Sequence, residues 1–174
     1  MKSDEILEKL NLKIQNSTDD YISIFNNDKS TNTCIYFCNL NKASCHLECV
    51  FYFDEGLIFN EYIEAVREKA KELNLFPANN GQLQLDDIKN ESADKIFENY
   101  NLKIQEETNE LISIYSDNKG ISSSVDFVKT RTARHKLANA LEFSFYFNEN
   151  IDFIEFLEAI QKKVNEFGWN QAVV

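Results

Sequence analysis

The chain has 174 residues, 43% of them hydrophobic and 13% aromatic, with Phe present 14 times. That is enough apolar material to bury the core of one medium domain or two small ones, and it excludes a disordered chain. Lys plus Arg number 18 against 29 Asp plus Glu, and the net charge of -11 disfavours direct contact with nucleic acid or an anionic membrane and favours a basic partner.

The opening MKSDEILEKL has no apolar run behind a basic segment, so no secretory signal is expected. No stretch approaches the roughly 20 apolar residues of a membrane-spanning helix. The expectation is a cytoplasmic protein whose four cysteines are reduced thiols. The many Asn, Lys, Ile and Phe residues point to an AT-rich coding sequence, as in a low-GC bacterium or one of its phages or mobile elements.

The first expected element is a short helix over Asp4 to Leu10, with Ser3 as its N-cap and Ile6, Leu7 and Leu10 at helical spacing. Leu12 and Ile14, then Ile22 and Ile24, alternate with polar neighbours, the period of two strands joined by the turn NSTDD. CIYFC is a third strand and HLECVFYF a fourth and longer one. A helix then carries Phe59, Tyr62, Ile63, Val66, Ala70 and Leu73 on one stripe. FPANNGQLQLDDIKNES follows, with the only proline, Pro77, and reads as a linker.

After the linker the pattern returns. NLKIQ stands at Asn11 to Gln15 and again at Asn101 to Gln105. At a shift of 90, Ile6, Glu8, Thr18, Ile22, Ser23 and Ile24 also fall on identical residues. At a shift of 94, so do Glu48, Phe51, Tyr52, Phe53, Glu55, Phe59, Glu61, Glu64 and Ala65. A collinear series broken by one four-residue insertion reads as a tandem duplication. Ser92 precedes the second short helix, with Ile96, Phe97 and Tyr100, and EETNE is the turn between its first two strands. VDFV and ANALEFSFYF match the third and fourth strands. Phe153, Phe156, Leu157, Ile160, Val164 and Phe167 repeat the helical stripe, closed by Gly168 as a C-terminal cap. The expected fold is α+β, a tandem duplication of a helix, four-stranded antiparallel sheet, helix unit about a pseudo-twofold, with repeats over 1–76 and 92–174 and a linker over 77–91.

On the fourth strands Leu47, Cys49, Phe51 and Phe53, and Leu141, Phe143, Phe145 and Phe147, share the core face. The opposite face carries Glu48, Val50 and Tyr52, then Glu142, Ser144 and Tyr146. Such a mixed face is expected to pack the two repeats together, with partner binding as the alternative, and the sequence does not decide between one continuous sheet and face-to-face packing.

Cys34, Cys38, Cys45 and Cys49 have a zinc-like spacing, but residues four apart on a strand lie roughly 13 Å from each other, too far for one ion. If paired residues of the hairpin sum to 83, Cys34 faces Cys49 and Cys38 faces Cys45; if they sum to 84, no cysteines pair. Val125 and Phe127, in place of Ile35 and Phe37, favour the sum of 84, and buried structural thiols are the reading. His46 and His135 lack the context of a nucleophile motif, and no phosphate-binding loop, dinucleotide fingerprint, zinc-protease helix or calcium loop occurs. No catalytic residue, metal or cofactor is expected.

Two charged features stand out. The closing helices carry Glu61, Glu64, Glu68 and Glu72, then Glu149, Asp152, Glu155 and Glu158, either a solvated face or a surface for a basic partner. The insertion KTRTARHK concentrates Lys129, Arg131, Arg134, His135 and Lys136, read as a loop folding onto an acidic helix or onto a partner.

The expected function is therefore a non-enzymatic acidic module that binds a protein with a basic surface, as a monomer or dimer. In its sharper form it places carboxylates in the nucleic-acid site of a nuclease or DNA-binding protein. The helix, antiparallel sheet, helix order in a small acidic chain resembles some phage anti-CRISPR inhibitors, a likeness of architecture and charge that implies an inhibitor carried by a phage or mobile element. Two alternatives are an adaptor or immunity protein using an aromatic face around Tyr52, Tyr146 and Trp169, and a small-anion binder using the groove between repeats and the 129–136 loop.

Overall fold

A computed structural model describes residues 2–26, 33–40, 45–53, 58–75, 91–99, 102–116, 123–131, 137–146 and 153–169. The first half runs α1 (Ser3–Lys9), β1 (Leu12–Ser17), β2 (Tyr21–Asn26), β3 (Cys34–Cys38), β4 (His46–Tyr52) and α2 (Phe59–Glu72). The second runs α3 (Ala93–Asn99), β5 (Leu102–Glu107), β6 (Leu111–Ser116), β7 (Ser124–Arg131), β8 (Leu137–Tyr146) and α4 (Phe153–Glu166). The expected linker lies outside the described residues apart from its last position, as does Phe147.

The strands form one eight-stranded sheet in the order β1-β2-β3-β4-β8-β7-β6-β5, antiparallel throughout. The protein is thus α+β, with four helices among the described residues. The halves meet edge to edge along β4 and β8, from His46↔Tyr146 to Tyr52↔Ala140. This corrects the expectation that the mixed faces would pack against each other. Edge pairing satisfies a full row of backbone donors and acceptors on the two long strands, whereas face-to-face packing would bury Glu48 and Glu142.

The helices cover one face. Leu47, Cys49 and Phe51 from β4 and Leu141, Phe143 and Phe145 from β8 enter a single core with Phe59, Tyr62, Ile63 and Val66 of α2 and Phe156, Leu157, Ile160 and Val164 of α4. Each such side chain contributes about 1.5–3 kcal/mol when fully buried. The Tyr62 hydroxyl donates to the Cys34 carbonyl at 2.8 Å, fixing α2 onto β3.

Helix ends follow local chemistry. Gly168, at φ 70, closes α4, with Gly168 N donating to Asn165 O and Trp169 N to Val164 O, the paired bonds of a left-handed cap. Asn74, at φ 53, ends α2 in the same way. Ser92 caps α3 as expected, accepting from Lys95 N at 3.3 Å. Ser3 departs from expectation: α1 starts with Lys2 as its cap, and the Ser3 hydroxyl donates to Glu72 Oε1 at 2.7 Å. A carboxylate on the neighbouring helix outcompetes the local cap.

Lys69 is buried between Asp4 (3.4 Å) and Glu72 (3.1 Å), and Lys163 between Asp94 (2.9 Å) and Glu166 (3.2 Å). Each lysine ties the short helix of its half to the long one. At Lys163 burial opposes the charge, but hydrogen bonds to Asp94 and Glu166 outweigh it and raise the ammonium above its ordinary value.

The β3–β4 hairpin has the register summing to 84: Cys34 faces Val50, Cys38 faces His46, and all four cysteines are free. In the second half β7 reaches Arg131 and β8 begins at Leu137, so Lys129 to Arg131 extend the hairpin as strand rather than loop. The insertion lengthens the ladder because its backbone finds partners, as in Lys129↔Asn139 and Arg131↔Leu137.

Candidate functional site

Alternation along the strands sends every second side chain to the face opposite the described helices. Across the first half that face carries Tyr21 and Phe25 of β2, Cys34, Tyr36 and Cys38 of β3, and His46, Glu48, Val50 and Tyr52 of β4. Across the second it carries Glu142, Ser144 and Tyr146 of β8, Ser124, Asp126 and Val128 of β7, and Ser113 and Tyr115 of β6. Its composition is mixed, with aromatic and thiol side chains among the polar ones.

The seam between the halves organises its chemistry. Glu48 stands opposite Ser144, and Glu142 opposite Val50 on one side and Asp126 on the other. Directly opposed residues hold their Cβ atoms about 5 Å apart and diagonal ones about 7–8 Å apart, so the three carboxylates form a compact row over β4, β8 and β7. A depression of about 230 Å³ runs through them, lined by Glu48, Val50, Ser124, Asp126, Glu142 and Ser144. Desolvation by its neighbours, with the Asp126 charge adding to it, raises the Glu142 carboxyl above the ordinary range. The Ser113 hydroxyl donates to Asp126 and orients it.

Aromatic rings frame this row. Tyr146 stacks on His46 with centroids 4.3 Å apart and planes 8° from parallel. The His46 Nε2 lies 2.6 Å from Ser144 Oγ and 3.6 Å from Glu48. Burial lowers the His46 pKa, and Glu48 only partly opposes this. Further out, Tyr36 packs edge-on to Phe25 at 5.2 Å and beside Tyr21 at 5.9 Å.

The helix carboxylates are placed differently. Glu61 pairs with Lys9, Glu64 with Arg67 at 3.9 Å, Glu68 with Lys71, and Glu72 with Ser3 and Lys69. Much of their charge is offset by the chain's own cations. Glu155 is half-buried; desolvation, then Glu91, raises its carboxyl above the usual range. Glu158 is half-buried too, and Glu149 and Asp152 lie outside the described residues.

Of the basic insertion, Lys129 is exposed on β7 and Arg131 ends that strand; Arg134, His135 and Lys136 lie outside the described residues. Lys129 borders a second depression, also about 230 Å³, with Thr108, Glu110, Phe127, Phe167 and Trp169. Trp169 does not join Tyr52 and Tyr146: it packs on Phe53 and Phe127 on the helix-covered side. Gly168 turns the chain back over the core there, which its place at the end of the sequence pattern does not reveal.

Sequence reasoning missed Asp126 as a member of the row. Its signal was available only as an acidic residue inside VDFV, flanked by core positions, on the strand next to Glu142. Among the described residues, no three His, Cys, Asp or Glu side chains come together as a metal-binding group, and no helix is long and apolar enough to cross a membrane. Comparison with family models, curated proteins and solved structures returns no match.

Proposed function

We propose that this chain is a tandem duplication serving as a non-catalytic binding protein, whose sheet face opposite the described helices engages a basic protein surface in the place of nucleic acid. The duplication is supported by more than the repeated sequence. The β4–β8 register is centred on Cys49↔Phe143, residues that a shift of 94 interconverts, so each pair along the seam maps onto another pair. The Lys69 and Lys163 clusters are likewise equivalent, and the halves relate as subunits of a joined dimer.

The observation that carries the function is the row of Glu48, Glu142 and Asp126 on the face that none of the described helices covers, bracketed by Tyr52 and Tyr146. Carboxylates at this spacing stand in for a line of phosphates, and the tyrosines supply area at small entropic cost. An inhibitor encoded by a phage or mobile element and directed at a nuclease fits this chemistry, in a bacterial cytoplasm.

The test is a pull-down of a basic nuclease across increasing ionic strength, comparing the natural chain with Glu48→Gln/Asp126→Asn/Glu142→Gln. Capture is expected to fall steeply with salt, to be displaced by DNA and to weaken about tenfold or more in the triple variant. Capture that ignores both salt and the three substitutions would refute it. The Tyr21, Phe25 and Tyr36 cluster favours a second reading, an adaptor held by shape, and salt-resistant binding lost on Tyr36→Ala would establish that instead.

A further inference from the structure

We infer that the two outer edges of the sheet carry the same docking groove, and that the partner displays twice a short linear segment in which an aliphatic side chain is flanked by Lys or Arg. This rests on the duplication proposed above, and it is independent of the open face.

The longest identity between the halves, NLKIQ, lies on the outermost strands β1 and β5. Parts of it have reasons in the fold: Asn11 adopts φ 57, and Leu12 and Leu102 are buried. The isoleucines have none. Ile14 and Ile104 point to the helix side, opposite Ile24 and Ile114, yet they are 46% and 45% exposed. The same large apolar residue exposed at both equivalent edges is not accounted for by core packing.

At the second edge the uncovered strip is a groove of about 210 Å³ between α3 and β5, with Phe97, Leu102, Lys103, Ile104 and Ile114 in its lining and Asp94 and Glu98 contributed by α3. At the first edge each of these positions holds the identical residue, except for Leu7 in place of Phe97. Asp94 and Asp4 are held by buried lysines, whereas Glu98 and Glu8 are exposed and make no ion pair among the described residues. An apolar floor beside a carboxylate that makes no ion pair among the described residues, in a chain of net charge -11, selects an apolar side chain next to a cation, with the cation on the Glu98 or Glu8 side and away from Lys103 or Lys13.

A second copy of the chain is a poor occupant. Like charges would face each other, and two equivalent edges per molecule would add copies without closure. Both edge strands also break register, between Ile14 and Asn16 and between Ile104 and Glu106, a device that discourages strand addition.

The two grooves sit seven strand spacings apart, about 34 Å at about 4.8 Å each. A flexible linker spans about 5.5 Å times the square root of its length, so about 40 residues match that distance, whereas two such peptides fused directly hold their outermost aliphatic side chains about 25 Å apart when fully extended and cannot reach it. The probes are labelled Arg-Val-Arg-Leu-Arg, alone, fused directly as a short tandem, and in a long tandem through a Gly/Ser linker of about 40 residues, read by fluorescence anisotropy. The long tandem is expected to bind on the order of 10²-fold tighter than the single peptide and the short tandem to gain little. Ile14→Asp and Ile104→Asp should each return the long tandem to single-peptide affinity, and Ile→Thr, which keeps the strand-favouring shape, should give a smaller loss. Equal affinities of the three probes, or indifference to both isoleucines, would overturn the inference. So would self-association of the chain that Ile14→Asp abolishes. Peptide binding lost only with Glu48→Gln/Glu142→Gln would overturn this proposal while supporting the open face; loss confined to the isoleucine variants would do the reverse.

Discussion

Tyr62 offers a measurable check on both the packing and the proposed duplication. It is fully buried under the sheet, its ring 4.7 Å from that of Phe51, and its hydroxyl donates to the Cys34 carbonyl at 2.8 Å. Tyr62→Phe removes that hydroxyl while keeping the ring packing, so the loss is chiefly this hydrogen bond, with a weaker one to the Val50 carbonyl at 3.4 Å. A net bond of this kind is worth about 1 kcal/mol, and in a chain of this size that lowers Tm by about 2–4 °C. The residue 94 positions on is Phe156, also fully buried, so the second half already carries the substituted form. If the halves are equivalent, Phe156→Tyr places its new hydroxyl at the Ser124 carbonyl and is close to neutral. If they are not, an unpartnered hydroxyl is buried at about 1–3 kcal/mol, with overpacking added. Urea unfolding followed by circular dichroism reads both variants. Tyr62→Phe with no effect, or Phe156→Tyr losing more than about 3 kcal/mol, would refute the reasoning.

Two further outcomes are expected. Lys163 has a folded pKa above its ordinary 10.5, so its contribution is fully present below that value and lost as pH climbs through the folded one. Lys163→Met should lower stability near neutrality by on the order of 1 kcal/mol, a discounted figure because Asp94 and Glu166 are 55% and 47% exposed, and the gap to the natural chain should close above pH 10.5 in thermal melts. A gap independent of pH would show that the lysine acts by packing alone. Among the thiols, Cys34 and Cys49 are buried, with Cys34 pushed up to about 11 by burial, while Cys38 and Cys45 are partly accessible. Iodoacetamide near pH 8 followed by mass spectrometry should label the latter pair first and the former only on unfolding; even labelling of all four would contradict the packing.

The periodicities reached the elements because they report local geometry. Alternation at Leu12, Ile14, Ile22 and Ile24 and the stripe from Phe59 to Leu73 placed strands and helix where the structure has them. The cysteine register was legible too, since matching apolar positions in the second half selected the sum of 84. The site was read less well. Alternation alone puts Glu48, Glu142, Tyr52 and Tyr146 on one face of their strands, yet it does not decide whether that face is buried between the halves or left to a partner. Trp169 was grouped with tyrosines that lie on the other side of the sheet, and Asp126 passed unnoticed. In each case the deciding contact joins residues far apart in the chain.

What the sequence determined by itself was the succession of helices and strands, the side of each strand that faces the core, and the excess of negative charge, because all three follow from residue type and spacing along one segment. Only tertiary structure decided that β4 and β8 pair through their edges and so leave a whole sheet face that none of the described helices covers. Backbone hydrogen bonds between two long strands are indifferent to side-chain identity, so no pattern of residues announces them. The same pairing gathers Glu48, Glu142 and Asp126 into one row and carries NLKIQ to opposite ends of the sheet.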